Sequence, residues 1–336
     1  MSKQTAEKET QTSRLREIVR RPPGLIYRWL GDRIFSVISV SLGVVIMGLA
    51  IVMALVLFDE GSYALSEFGF FGFLFGREWD PSVKLEFGTF PFLVGTLATS
   101  FVALLISFLP AIAVAIFAVE YAPKWLSGII ENLVQLIAAV PSVVIGIWGI
   151  FILAPWLRDN LYDPVTAFAE NSAPFLIPLL GTPTGYGMAT ATIVLALMIV
   201  PYTTALTKDA IRSVPSEQRE AARALGATRW EVVRMAILPY ARGGIIAGAV
   251  LSLGRAIGET MAVAMLVGNN NNLPFTIFGA GSTMPSVIVN EFREAVNNLH
   301  LSSLMAVGFV LFLLAIVVNL VAAYITRKYS VGSGRS

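Results

Sequence analysis

The sequence predicts an all-α protein that crosses a membrane about six times. Three observations carry this reading. The 336 residues are 56% hydrophobic and 14% charged, with a mean hydropathy of +0.73, far more apolar than an ordinary soluble domain. Apolar runs of spanning length recur along the chain, and six spans of about 20 residues would use only about a third of it. The basic residues, finally, gather on one side of those runs. The chain holds no cysteine, which excludes disulfides, thiolate metal sites and cysteine nucleophiles. Its single histidine, His300, argues against histidine metal clusters and catalytic triads, so no catalytic or metal-ligating residues are expected.

Residues 1–33 form a polar, basic tail carrying Lys3, Lys8, Arg14, Arg16, Arg20, Arg21, Arg28 and Arg33. The apolar run 34–58 that follows is too long for a signal-peptide core and ends at Asp59-Glu60, so it reads as a retained first span. Residues 59–88 are dense in aromatics (Phe68, Phe70, Phe71, Phe73, Phe75, Trp79) and read as an external loop resting on the bilayer surface, or else as a docking surface. The remaining spans fall near 89–119, 128–153, 186–206, 243–268 and 301–325. The third carries Pro141, Gly146 and Gly149, a density that suits a helix packed inside a bundle, where neighbours satisfy freed backbone groups. Residues 154–185 read as a Pro- and Gly-rich loop, Asn269 to Asn272 lie in the loop before the last span, and 327–336 form a short C-terminal tail.

With six spans, both termini and the segments 119–128 and 207–242 share one side, and nineteen of the 24 Lys and Arg lie there. The opposite loops hold only Arg77, Lys84, Arg158 and Arg293, and Arg255 alone lies within a span. The positive-inside rule therefore puts both termini and 207–242 in the cytoplasm of a cell-membrane protein.

The segment 207–242 is too polar for a bilayer. Ser216, after Pro215, suits an N-cap, with Glu217 and Glu220 in the first turn of a helix over 217–225. Gly226 fits the position just past that helix. Thr228-Arg229-Trp230-Glu231 is a capping box opening a second short helix that Pro239 helps to end. A solvated connector is the bland reading. Against it stand the definite helix signals and the small face of Ala221, Ala222 and Ala224, which would let another protein pack closely.

The stretch Glu220-Ala221-Ala222, with Gly226 four residues on and Leu238-Pro239 beyond, resembles the EAA loop of binding-protein-dependent ABC importer permeases. One position departs from the pattern: Ala236 stands where the family usually has Ile. The resemblance covers roughly 88–326 and implies a type I ABC importer permease fold with a transmembrane domain over 89–326. Glu220, Ala221, Ala222, Gly226, Leu238 and Pro239 would then form the loop that docks a separate ATPase. The stretches 139–149 and 253–262 are similar to the phosphate importer permeases of the Pst system. The basic tail, long first external loop and six spans fit PstC-type subunits better than PstA-type ones. This implies inorganic phosphate as cargo, with sulfate or molybdate as alternatives. It also implies a second, PstA-like permease, a PstB-like ATPase dimer binding ATP and Mg, a PstS-like external binding protein, and no cofactor or nucleic acid on this chain.

Arg255 and Glu259 lie four residues apart in the fifth span, and helical spacing puts them on one face with Ser252 a turn earlier. A charge near the bilayer centre costs roughly 2.5–3.5 kcal/mol on insertion scales, so such residues face a bundle interior or a hydrated path. They form either a buried ion pair that fixes packing or a transient anion site, a guanidinium being suited to oxyanion oxygens. The resemblance carries Arg255 and Glu259, with Ser252 and Thr260 beside them, into the translocation path. No Gly-Lys-Ser/Thr occurs, so this chain holds no Walker A site of its own. The rival classes are an ion-coupled secondary transporter, which would show internal repeats and more intramembrane acids, and an intramembrane enzyme. For the latter, His300 beside Ser302 and Ser303 reads better as a satisfied or solvated histidine than as a catalytic one.

Overall fold

A computed structural model describes residues 25–271, 273 and 276–329. The expected tail over 1–24, the tail beyond 329 and Asn272 lie outside the described residues. By the density of internal contacts the chain forms two units, Met1–Val56 and Leu57–Ser336. In the first, the described residues form one helix, the leading part of α1 (Leu25–Phe68). Among the described residues six helical stretches are long and apolar enough to cross a membrane: Arg33–Phe68, Phe90–Tyr121, Ser142–Ser172, Met188–Arg212, Arg229–Ile257 and Asn298–Ile325. The all-α, six-span architecture read from the sequence is what the structure has, apart from one two-stranded hairpin.

The expected end of the first span at Asp59-Glu60 is overturned, because α1 runs on to Phe68. Two contacts within the second unit explain the extension. Gly61 meets α15 (Asn298–Tyr329) so closely that an added Cβ would lie 2.9 Å from the Ala306 nitrogen. The Ser302 hydroxyl enters the helical ladder, accepting from the Ala64 N–H at 3.1 Å and donating to the Glu60 carbonyl at 2.7 Å. Two polar groups that would be exposed by a widened turn are thus satisfied by one side chain.

The aromatic segment that follows is a folded cap whose core is shared with later helices. It comprises α2 (Phe70–Phe75) and a hairpin of β1 (Trp79–Asp80) with β2 (Glu86–Phe87), paired Trp79 to Phe87 and Asp80 to Glu86. Phe73, Trp79, Phe87 and Phe92 are buried together with Met284, Val287 and Leu304, whereas Phe71 and Phe75 are exposed. Trp79 meets Phe87 and Phe92 edge-on, each at 4.9 Å, the arrangement aromatic quadrupoles favour. In the hairpin turn the Asp80 carboxylate accepts from the Ser82 and Val83 N–H groups at 2.9 and 3.0 Å. Those bonds, Val83 foremost, hold its carboxyl below the usual range. His300 is buried here as well, with Nε2 2.9 Å from Glu291, which also accepts from Trp79 Nε1 at 2.8 Å and Asn271 at 2.7 Å. It is the satisfied histidine of the sequence reading.

The second span starts with α3 (Phe90–Ile116) and ends in a π turn, Phe117–Tyr121. The continuous third span expected over 128–153 is split. A separate helix, α4 (Lys124–Ala138), stops before Pro141, whose fixed φ and missing N–H favour a break there. The span proper starts at α5 (Ser142–Trp148) and continues through a π turn (Gly149–Leu153), α6 (Ala154–Leu157), a π turn (Arg158–Tyr162) and α7 (Asp163–Ser172). Much of the loop expected over 154–185 is therefore helical, with α8 (Ile177–Leu180) near its end. The fourth span, α9 (Met188–Arg212), buries more than half its residues and is the axis of the bundle.

The four π turns share one sequence feature: each ends two residues before a proline, at Pro123, Pro155, Pro164 and Pro239. A proline leaves one carbonyl of the preceding turn without a donor and crowds it. Widening that turn lets the residue before the proline bond five back: Ala122 to Phe117, Ala154 to Gly149, Asp163 to Arg158, and Leu238 to Val233. At Pro155, Pro164 and Pro239 the helix passes through.

After α9 come α10 (Ser216–Ala224) and α11 (Arg229–Val232), then a π turn, Val233–Ile237, and α12 (Leu238–Ile257). The expected stop at Pro239 is thus also overturned: 229–257 is one helical run. The fifth span expected to reach 268 ends at Ile257, and a short α13 (Met261–Leu266) follows. Here Gly146 and Gly149 show their purpose: added Cβ atoms would lie 2.7 Å from Met265 Sδ and 2.8 Å from Leu266 Cδ1, so α5 and α13 pack backbone-close. Then α14 (Met284–Glu291) is opened by a Thr283 capping box and leads to α15.

The cap depends on one backbone crossing. An added Cβ at Gly88 would lie 2.2 Å from the Gly76 carbonyl carbon, while at Gly72 it would meet nothing within 4 Å. We expect Gly88→Ala to destabilise by at least the roughly 1–3 kcal/mol typical of overpacking, and Gly72→Ala to change little. Thermal unfolding of the detergent-solubilised protein checks this; equal melting of the two variants would refute the crossing as a constraint.

Candidate functional site

The stretch 216–260 holds every residue the sequence singled out, and the structure treats them in two groups. At the end of the bundle that carries α10, the expected turn chemistry is present. Pro215, not Ser216, stands at the N-cap of α10 and no side chain caps it, so the Ser216 expectation fails. The C-terminus closes as read: Gly226 has φ +85°, its N–H reaches the Arg223 carbonyl at 2.9 Å, and the Ala227 N–H reaches the Ala222 carbonyl at 3.2 Å. That is a Schellman closure, which needs the left-handed residue glycine supplies. Thr228 caps α11 reciprocally with Glu231, which accepts from the Thr228 N–H at 2.8 Å.

Glu220, Ala221, Gly226 and Pro239 are exposed, whereas Ala222 and Leu238 are half-buried against the core formed by Ile211, Val232, Val233 and Ile237. The motif therefore has an outward face and an anchoring face. Three large apolar side chains that sequence reasoning passed over share this region and are exposed: Leu225, Trp230 and Met235. Their signal was available, since bulky apolar residues in an otherwise charged segment have no core to serve.

A second omission is Arg219. Its side chain lies largely buried, with Nε 3.1 Å from Glu120 Oε1 in the π turn that ends the second span. Its other donors reach the Ile211 carbonyl at 2.8 Å and the Val214 carbonyl, at the end of α9 and just beyond. One guanidinium thus ties α10 to two spans, capping free carbonyls as it does so. A parallel tie joins α4 to α9: Glu131 lies 2.5 Å from Lys208 Nζ and 3.3 Å from Arg212 Nη2. The hydrogen bond from Lys208 is the foremost cause holding the Glu131 carboxyl below its usual range.

The second group lies about 25 residues further along the same helical run. Arg255 is on the last turn of α12 and is exposed on the chain's surface. The shared helical face expected for Arg255 and Glu259 is absent, because the helix ends at Ile257 and residues 258–260 are non-helical. Gly258 supplies the weak point. Among the described residues no carboxylate pairs with Arg255; its guanidinium carbon instead lies 5.1 Å from the Tyr202 ring centroid on α9. This disposes of the buried ion pair as an explanation of its presence.

Ser252 is a correction of a different kind. It is fully buried, accepting from Thr203 Oγ1 at 2.8 Å and donating to the Gly248 carbonyl at 2.9 Å. Its hydroxyl is spent on joining α12 to α9 and does not face a path. Glu259 and Thr260 are half-buried at the helix break, Thr260 bonding only locally to the Gly258 carbonyl at 3.2 Å.

Residues 111–331 match the family model described as binding-protein-dependent transport system inner membrane component. The chain is similar to the phosphate transport system permease protein PstC of Mesorhizobium japonicum, 39% identical over 91% of this chain and 93% of that one. It is also similar to PstC of Haemophilus influenzae, at 36% over 88% and 92%, and to PstC 1 of Mycobacterium tuberculosis, at 35% over 95% and 96%. Among solved structures, a chain of a bacterial alginate ABC transporter superposes with a TM-score of 0.59 at 17% identity, over 89% of this chain and 96% of that one. A chain of the inward-facing MetNI methionine ABC transporter gives 0.51 at 21%, over 70% and 93%. These two speak to the fold alone.

The Arg219 tie can be checked directly. Replacing Glu120 by Gln should lower the local opening free energy of residues 216–224 by about 1.5–3 kcal/mol, the range for a hydrogen bond to a charged group. Amide hydrogen exchange reads this segment by segment, and unchanged protection would show that the tie holds nothing.

Proposed function

The chain belongs to the family of binding-protein-dependent transport system inner membrane components, and from that premise we propose that it carries inorganic phosphate inward as one permease of an ATP-driven importer. The observation that carries the proposal is Arg255: a permanent cation within a candidate membrane span, exposed on the chain and paired with no carboxylate among the described residues. Its donors are free for a ligand that the chain does not supply. A guanidinium presents planar, paired N–H groups to the oxygens of a tetrahedral oxyanion, and the similar chains from three bacteria are phosphate transport permeases by name.

In this reading the chain forms half of the path and a second, PstA-like permease forms the other half, facing Arg255. Glu259 and Thr260, at the helix break beside it, form the rest of this chain's contribution. The site holds an anion weakly, since a path must release what it binds. In this reading both termini and the 216–237 face lie on the cytoplasmic side of the inner membrane, which the distribution of basic residues supports. There Glu220, Ala221 and Gly226, with Leu225, Trp230 and Met235 around them, dock a PstB-like ATPase dimer, and ATP and Mg belong to that partner. A PstS-like binding protein delivers phosphate at the opposite face. Movement of the docked end reaches the anion site along a single helical run, 229–257.

Two outcomes are expected. Arg255→Gln should lower phosphate uptake by the reconstituted complex at least tenfold, the loss of one charge-assisted contact set, while the complex is recovered in normal yield. Undiminished uptake would overturn the anion site, and a lost complex would make Arg255 a structural residue. Glu220→Arg should release the ATPase during co-purification without lowering the melting temperature of the permease; retention of the ATPase would rule out this face as the dock. Parallel uptake of sulfate and molybdate fixes the cargo, since the guanidinium alone does not choose among oxyanions.

A further inference from the structure

A cavity of about 1440 Å³ opens between the hairpin β1–β2, the neighbouring sides of α3 and α9, and Leu273, Thr276 and Ile277, and neither Arg255 nor Glu259 lines it. Its long wall is an apolar stripe on α3 made of Phe90, Val94, Ala98, Val102 and Ile106. At 1.5 Å rise per residue that stripe is about 24 Å long, more than the about 15 Å hydrocarbon depth of one leaflet. The stripe lies within the second candidate span, which begins at Phe90, a length and composition suited to contact with lipid.

The hairpin end of the cavity is charged, with Arg77, Glu78, Asp80 and Lys84 around it. Three of these are already engaged. Lys84 Nζ pairs with Glu78 Oε2 at 2.7 Å, and the Asp80 carboxylate is taken by the backbone N–H groups of the turn. Arg77 is exposed and pairs with no carboxylate among the described residues. Its guanidinium carbon sits 5.7 Å from the centroid of Phe90, the first residue of the stripe. The cavity is thus a long apolar slot with Arg77, a cation that forms no ion pair among the described residues, at its mouth, at the level where the span begins.

We propose that the slot holds a membrane phospholipid, with its phosphodiester on Arg77 and one acyl chain along Phe90–Ile106. Only a lipid brings an anionic phosphate and a chain of that length together at this depth. The bound chain fills space between α3 and α9 beneath the cap and replaces packing that side chains do not provide.

A photoreactive residue placed at Ala98 of the complete transporter, irradiated in native membranes and followed by intact mass spectrometry, identifies the occupant. A phospholipid-sized adduct is the expected result; a peptide adduct, a detergent adduct or none overturns the proposal. Independently, Arg77→Gln should lower phospholipid retained through detergent exchange about tenfold, in line with loss of a charge-assisted contact. Arg293→Gln, a change outside the cavity, should leave retention as in the parent. Equal retention by the two variants would also overturn the phosphate contact.

Discussion

Inside a bilayer every backbone N–H and C=O must find its partner within the protein, and at four prolines this chain answers that demand with a widened turn, whereas Pro110 and Pro201 sit inside helices without one. A proline in a helix orphans one carbonyl and crowds it. Here each of the four π turns ends two residues before a proline, and the residue just before the proline donates to the carbonyl five residues back. The consequence at Pro239 is the largest. Without the widened turn, α11 would be an isolated scrap of four residues, and the polar segment would be joined to the membrane by a flexible link. With it, the capping box at Thr228 and the arginine at 255 are ends of one element.

A continuous element transmits displacement only if its handle is held to the body at defined points. Arg219 provides one such point, joining α10 at once to the end of the second span through Glu120 and to the end of the fourth through the Ile211 and Val214 carbonyls. Ser252 and Thr203 provide another, deeper in the bundle, between α12 and α9. Both ties lead to α9, the most buried of the candidate spans. Forces on the proposed docking face are therefore referred to the centre of the bundle, while the exposed Glu220, Leu225 and Trp230 remain available to a partner.

What could be read from the sequence follows from how local each cause is. The Gly226 closure and the Thr228 capping box depend on residues three to five apart and were legible. So was the close packing at Gly146 and Gly149. The element boundaries were not. Pro239 and Asp59-Glu60 read as stops because their local chemistry opposes a helix. The relief at Asp59-Glu60 comes from Ser302, more than 240 residues away, and at Pro239 from a turn type with no strong residue preference. Ser252 looked like a path residue for the same reason: its partner Thr203 is remote in sequence. The aromatic segment 59–88 had a composition that suited an interface, and only its pairing with Met284, Val287 and Leu304 turns half of it into a core.

The break at Gly258 bears directly on the anion site proposed at Arg255. On an unbroken helix Glu259 would sit one turn from Arg255, and an ion pair in a poorly solvated span would compete with any incoming anion for the same donors. Ending the helix at Ile257 removes that competitor from the shared face. The Tyr202 ring takes its place as the positioning group. A ring face attracts the cation by about 0.5–2 kcal/mol without neutralising its charge. The arginine is thus oriented without being neutralised. An anion that reaches it need not displace a carboxylate, and an anion that leaves it does not strand the cation without any stabilising contact.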